Sequence, residues 1–337
     1  MKVLNWKEKI NVYELEEVNR CLKSGGLVIF PTETVYGLGA DATNSDAVDS
    51  IFIAKGRAND NPLIVHLDSK SNITRYAYIS NDIEQKLIDT FMPGPFTLIL
   101  KKKDIIPNNV SAGLDTVGIR IPSNKIANTI LYTSGLPIAA PSANVSGKPS
   151  GTDINDIISE FDGKVDYIID GNVTDIGLES TVVKVIDGIP TILRPGFITK
   201  EDIIDAVGIV KVSDNIFKKV DGPVESPGMK YKHYAPNSEC QLIYIKDKNE
   251  LVKYFNDKVT FETVVIGSSK LKNISCKKFL YYGDSLEDIA HNIFKLLRLA
   301  DTYNPDIILI EGVSKDGLGL AIMNRLMRAC SYNYIER

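Results

Sequence analysis

The chain has 337 residues, 44% hydrophobic and 24% charged, which is a globular composition with room for one large domain or two ordinary ones. Its net charge of -4 excludes a basic nucleic-acid module on composition, and the acidic excess lies within residues 1–200. Anionic ligands must therefore be met by local clusters rather than by the field of the whole molecule.

Val12, Leu15, Val18 and Leu22 recur at helical spacing, and Gly25-Gly26 ends that helix. A short strand over 27–30 follows, closed by Pro31. A helix is expected over 46–55 with Ser45 as its N-cap. Next come a strand over 63–67 and an amphipathic helix over 82–91, stopped by Pro93-Gly94-Pro95. Strands over 96–100 and 117–121, a helix over 126–132 and a buried strand over 137–140 continue the series. Strands over 167–169, 181–186 and 191–193 then succeed one another without helices, and Thr199 caps a helix reaching Val207. This is an α/β pattern without strict βαβ alternation, so a twisted mixed sheet is expected.

Residues 208–236 change character, with Gly208, Gly222, Pro223, Pro227, Gly228 and Pro236 and few large aliphatics. Strands over 241–245, 263–266, 279–282 and 306–310 follow, with helices near 250–255, 286–300 and 320–329. That alternation predicts a smaller, open parallel sheet with covering helices. The expected organisation is a domain over 1–207, a linker over 208–236 and a second domain over 237–337.

Cys21, Cys240, Cys276 and Cys330 show no CxxC spacing, so free thiols in a reducing compartment are expected rather than zinc ligands. No apolar run approaches the roughly 18 residues of a membrane span. MKVLNWKEKI lacks an apolar signal core, so the expectation is a cytoplasmic protein that meets no membrane.

The segment Pro31-Thr32-Glu33-Thr34-Val35-Tyr36-Gly37-Leu38-Gly39-Ala40-Asp41 reads as a hydroxyl- and glycine-rich turn between a strand and a helix. Gly37 and Gly39 loosely imitate a dinucleotide fingerprint, but that fingerprint sits directly at a strand-to-helix turn, whereas residues 31–45 separate the strand end from the helix start here. Lys55-Gly56-Arg57 places two cations at a helix end, either as capping charges or as an anion clamp. Arg120, in the apolar run Val117-Gly118-Ile119-Arg120-Ile121, and Arg194, before Pro195-Gly196, each require a counter-charge or a ligand. The loops 139–147 and 177–181 are small and hydroxylic and lie at strand ends, where open α/β sheets bind ligands. There is no GxxxxGK[ST] loop, no GxSxG elbow and no recognisable triad around His66, His233 or His291.

PTETVYGLG at 31–39, KGR at 55–57 with NPL at 61–63, PSAN at 141–144, STVV at 180–183, RPG at 194–196 and SPGMKYKHYAP at 226–236 occur in one order. Together they resemble the long form of the threonylcarbamoyl-adenylate synthase family, over essentially the whole chain. The resemblance implies a YrdC-like domain with a twisted mixed sheet, followed by a smaller Rossmann-like domain. It implies condensation of L-threonine, bicarbonate and ATP to threonylcarbamoyl-AMP and pyrophosphate, with Mg²⁺ carried by ATP and no metal site of the chain's own. A downstream complex that transfers the group to tRNA adenosine is the implied partner. One departure is Ala58, where proline is more usual after the KGR arginine; no liganding side chain is lost.

Carried over residue by residue, the resemblance places Thr34, His66, Arg120, Ala140 and Ser180 on the threonine side, Arg120 meeting the carboxylate. It places Arg57, Asn61, Thr116, Ser142, Ser150 and Arg194 on the ATP side, with His233 reaching the nucleotide. Lys55 and Arg57 are the implied catalytic cations, Lys55 stabilising phosphates or carbamate. The aromatic and basic stretch 226–236 differs from a flexible spacer and is expected to act as a lid. Two rival functions remain. An RNA-binding module would require salt-dependent association against an acidic balance, so no tight autonomous nucleic-acid binding is expected. A carbamoyltransferase of the hydrogenase-maturation type would require acylphosphatase and zinc-finger segments, which this sequence lacks.

Overall fold

A computed structural model describes residues 1–171, 174–218, 224–226 and 234–337. It divides into two units, residues 1–146 with 151–230, and residues 147–150 with 231–337.

The first unit is organised by one mixed sheet. Among the described residues its strands run, in spatial order, Lys2–Asn5, Tyr167–Asp170, Val28–Phe30, Gly37–Asp41, Ile138–Ala139, Ile64–His66, Thr116–Arg120, Phe96–Lys102, Thr181–Ile186, Ile189–Arg194 and Lys211–Val212. Ala77–Tyr78 pairs beside Phe96–Lys102. Parallel and antiparallel neighbours are interspersed, as the missing helices between consecutive strands require.

Local chemistry sets the helix ends. Val12–Lys23 buries Leu15, Val18 and Leu22, and the Asn11 side chain accepts from the Tyr13 and Glu14 amides. Lys200–Val207 begins with a capping box between Thr199 and Asp202, as its sequence predicts. Ser45–Lys55 is capped by Asn44, not Ser45: the Asn44 side chain takes the Asp46 and Ala47 amides. Both residues are good caps, and a one-residue ambiguity is ordinary at such a pair.

The stretch 31–41 departs most from its sequence reading. Gly37–Asp41 is a strand, antiparallel to Val28–Phe30 on one side and to Ile138–Ala139 on the other. Glycine is a poor strand former, so the sequence reads as a turn. Here its lack of a side chain is what lets the strand fit. A Cβ at Gly39 would lie 2.6 Å from a Phe30 ring carbon and 2.8 Å from Ile138 Cγ2. Lys2–Asn5 and Ile154–Phe161 are likewise elements that periodicity does not reveal.

The second unit holds a parallel sheet in the order Lys278–Tyr281, Thr263–Gly267, Ile307–Glu311, Cys240–Tyr244, Tyr334–Glu336. Lys248–Lys258, Leu286–Asp301 and Gly319–Ala329 are its α-helices. Tyr234 is buried in this unit, its ring stacked on Phe294 at 5.0 Å with the Arg325 guanidinium 5.7 Å from its centroid. Of the expected lid over 226–236, residues 227–233 lie outside the described residues. All four cysteines are free thiols, and no helix among the described residues is long and apolar enough to cross a membrane.

Candidate active site

Sheet register assembles a row of buried polar side chains. His66 is directly opposite Arg120, and Arg120 is directly opposite Thr97. Opposed residues share a face, so the three stand side by side on the same surface of the sheet. Their exposures are 3%, 4% and 0%. Two residues back, Ile64, Gly118 and Ile99 form the next row, and Ile64 and Ile99 belong to a small apolar cluster with Val182 and Leu193. The surface thus offers a polar strip beside an apolar one.

Further hydroxyl and guanidinium groups close on that strip. Thr97 Oγ1 and Ser180 Oγ are 2.8 Å apart. Arg194 donates from Nε and Nη2 to the Ser180 carbonyl at 3.2 and 3.0 Å, and from Nη2 to its hydroxyl at 3.1 Å. Gly196 permits this approach, because a Cβ there would lie 2.4 Å from the Thr181 amide nitrogen. The loop between Val28–Phe30 and Gly37–Asp41 is internally tied: Thr32 Oγ1 donates to the Val35 carbonyl at 2.7 Å and lies 2.8 Å from Thr34 Oγ1. From this loop Glu33 reaches Arg120, its Oε1 2.8 Å from Nη2, both side chains about 95% buried.

Several polar atoms here lack hydrogen-bond partners. They are both Glu33 carboxylate oxygens, Arg120 Nε and Nη2, and His66 Nδ1. The Glu33–Arg120 contact is an ion pair by distance but is not aligned as a hydrogen bond. Asn61, fully buried, has neither amide atom bonded. Buried polar groups are ordinarily satisfied. Such a concentration beside one surface marks a place where a polar ligand completes the bonding.

Lys55 is the last residue of the helix Ser45–Lys55. Its ammonium is buried and donates to the Ser142 and Asn144 carbonyls at 2.5 and 2.6 Å. Burial pushes its pKa well below the ordinary lysine value, and the Arg57 charge acts in the same direction, while Glu160 and Glu179 oppose. A neutral amine still has two donors, so both contacts persist in either protonation state. Ser142 Oγ donates to Asn144 Oδ1 at 2.6 Å, and the Leu38 amide donates to the Pro141 carbonyl at 2.9 Å. Lys55 therefore pins the 141–144 loop alongside Gly37–Asp41. Arg57 Nη2 donates to the Asn61 carbonyl at 3.1 Å, and its guanidinium lies 5.9 Å from the Phe52 ring centroid.

Of the residues singled out in the sequence, Arg120 and His66 are brought side by side, and Ser180 and Arg194 bond to one another. Thr34 adjoins Glu33, and Ala140 is bonded through its amide to the Ile64 carbonyl. Ser142 is brought against Lys55, and Asn61 against Arg57. Thr116 begins the strand that Arg120 ends, four residues away on the same face. At about 3.3 Å per residue it stands about 13 Å from Arg120. Ser150 is buried and falls with the second unit, and His233 lies outside the described residues. Sequence reasoning gave no role to Glu33, Thr97 or Asn144; Glu33 was visible as the acid within 31–39, but its partner was not. Two surface concavities, of about 390 and 220 Å³, lie at Lys7 and contain none of the named site residues.

His66 carries a pH consequence. Burial first, and the Arg120 charge second, lower its pKa from 6.5 to about 3. The unfolded chain then binds more protons than the folded one between those values. Stability is expected to fall as pH drops through that window, by up to about 1.4 kcal/mol per unit. His66→Asn should flatten this acid limb in melting temperatures measured from pH 7 to 3. Parallel limbs in the two proteins would show that His66 titrates normally.

A family model described as telomere recombination matches residues 20–196. One described as threonylcarbamoyl-AMP synthase, C-terminal domain, matches residues 198–331. The threonylcarbamoyl-AMP synthase of Pyrococcus abyssi is 41% identical over 340 residues, covering 99% of both chains. The chain belongs to the threonylcarbamoyl-AMP synthase family. A Bacillus subtilis synthase is 40% identical over 328 residues, covering 96% of this chain and 94% of its own. The crystal structure of the Pyrococcus abyssi protein complexed with L-threonine superposes with a TM-score of 0.93 at 41% identity, covering 100% of each chain. The family fold, a mixed-sheet domain and a smaller α/β domain, is the fold found here.

Proposed function

We infer that the chain condenses L-threonine, bicarbonate or CO2, and ATP into threonylcarbamoyl-AMP and pyrophosphate. The observation that carries this is the full-length similarity to threonylcarbamoyl-AMP synthases. The buried polar strip and the cations Lys55 and Arg57 at the end of the helix Ser45–Lys55 fit the activity. Threonine's amine attacks CO2 to give an N-carboxylate, which attacks the α-phosphorus of ATP and expels pyrophosphate. Neither step needs a nucleophile from the protein; both need positioning and neutralisation of charge.

In this reading Arg120 meets the threonine carboxylate, and Thr34, Ala140 and Ser180 surround the amino acid with His66. Arg57, Asn61, Ser142, Arg194 and Thr116 serve the nucleotide, with Ser150 and His233 as further ATP-side residues. The partner-free amide of Asn61 suits a nucleotide's polar edge. Lys55 holds the Ser142 loop in place through its carbonyl contacts. Magnesium enters with the ATP substrate. The product supplies threonylcarbamoyl modification of tRNA adenosine, through a separate transfer complex in the cytoplasm.

The test is product analysis. ATP breakdown should yield pyrophosphate and the adenylate, and should require threonine and bicarbonate together. ADP and phosphate as products would overturn the adenylate mechanism, and carbamoyl phosphate replacing bicarbonate would favour the carbamoyltransferase reading.

A further inference from the structure

We propose that Glu33 is the residue that recognises the α-ammonium group of the amino-acid substrate, with Arg120 beside it taking the carboxylate. This rests on the proposed function and adds to it a specificity determinant.

Charge requires such a group. An amino acid reaches the site as a zwitterion, so its binding pocket needs one anionic and one cationic receptor close together. The residues assigned to the threonine side, Thr34, His66, Arg120, Ala140 and Ser180, include no anion. His66 and Arg120 stand side by side on the sheet, and Arg194 closes on Ser180. A free ammonium group placed among these would be buried next to guanidinium without a partner, at a large desolvation penalty.

Glu33 is the carboxylate that the fold brings to this strip. It lies 2.8 Å from Arg120 Nη2, only 4% exposed, and adjoins Thr34 in the chain. An ammonium and a carboxylate on one α-carbon are separated by a single atom, which matches adjacent Glu33 and Arg120 receptors. Both Glu33 oxygens lack hydrogen bonds despite the ion pair. A carboxylate whose sole task is to neutralise Arg120 would be expected to align with it, because charge-assisted guanidinium–carboxylate pairs favour parallel, in-plane bonds. The loop carrying Glu33 is held by other contacts: the Ile176 amide donates to the Glu33 carbonyl and the Gly177 amide to the Thr34 carbonyl. Its backbone position therefore does not depend on the side-chain pair, leaving the carboxylate available to a substrate.

The experiment separates amine recognition from simple support of Arg120. Binding of L-threonine and of its deaminated analogue, 3-hydroxybutanoate, is measured by calorimetry or competition on the full chain and on Glu33→Gln. Loss of a charged hydrogen bond of about 1.5–3 kcal/mol corresponds to a roughly ten- to hundredfold weaker affinity for threonine. 3-Hydroxybutanoate, which has no amine, should bind Glu33→Gln at least as well as the wild type. Glu33→Asp, which keeps the charge, should recover part of the threonine affinity. Equal loss of both ligands in Glu33→Gln would show that Glu33 only orients Arg120 and would overturn the proposal. If Glu33→Gln does not fold, the wild type decides: threonine must bind far more tightly than 3-hydroxybutanoate, and equal affinities overturn the assignment. Formation of the adenylate by the wild type is measured separately, so failure of the proposed reaction is distinguishable from failure of this residue's role.

Discussion

Arg120→Ala is expected to lower folding stability by about 3–5 kcal/mol and threonine-dependent pyrophosphate release by a hundredfold or more. The first figure follows from breaking a buried pair, which strands the Glu33 carboxylate without its counter-charge. The second follows from losing the charge-assisted contact proposed above between Arg120 and the substrate carboxylate, together with distortion of the polar strip. Denaturant unfolding and a pyrophosphate assay read the two effects independently. Removing Glu33 as well, in the Arg120→Ala/Glu33→Ala protein, should restore much of the stability but none of the activity. Wild-type stability in Arg120→Ala would mean that the ion pair contributes nothing to the fold. Recovery of activity in the double variant would remove Arg120 from the site.

Lys55→Met is the second large effect. Methionine keeps the unbranched stem but supplies no donor, so the Asn144 carbonyl loses its Lys55 donor and the Ser142 carbonyl keeps only the Asn144 amide. Leaving the buried Asn144 carbonyl without that donor costs about 1–3 kcal/mol. The 141–144 loop then loosens, and ATP affinity should fall tenfold or more while threonine affinity changes little. Lys55→Arg is not a conservative rescue, because a planar guanidinium cannot occupy a site shaped for a point donor between two carbonyls. Titrations of ATP and of threonine on the Lys55→Met protein provide the check. An unchanged ATP affinity would show that the loop keeps its position without Lys55.

Much of the architecture was legible because it is local. Asp82–Phe91 and Lys200–Val207 follow their predicted bounds, since amphipathic periodicity and a cap within a few residues determine them. The parallel second sheet was likewise visible in alternating apolar runs and helices. Gly37–Asp41 was not, because its identity as a strand depends on Phe30 and Ile138 packing over a missing Cβ. The site shows the same division. Its hydroxyl, glycine and cation motifs could be quoted from the sequence, and their resemblance to a known family supplied the roles expected of them.

The amino-acid sequence by itself determined the fold class, the family and the inventory of groups available for chemistry. It also showed that no protein nucleophile belongs to a recognised triad or elbow. Only the tertiary structure decided which of those groups meet. Lys55 and Ser142 are 87 positions apart, and Thr97 and Ser180 are 83 apart. Glu33 and Arg120 come from different strands' ends in the same way. Such pairs are created by the register of neighbouring strands and by loops folded across them. Helical or strand periodicity reports which face a residue occupies, but not which distant residue faces it, because register is set by packing of the whole sheet.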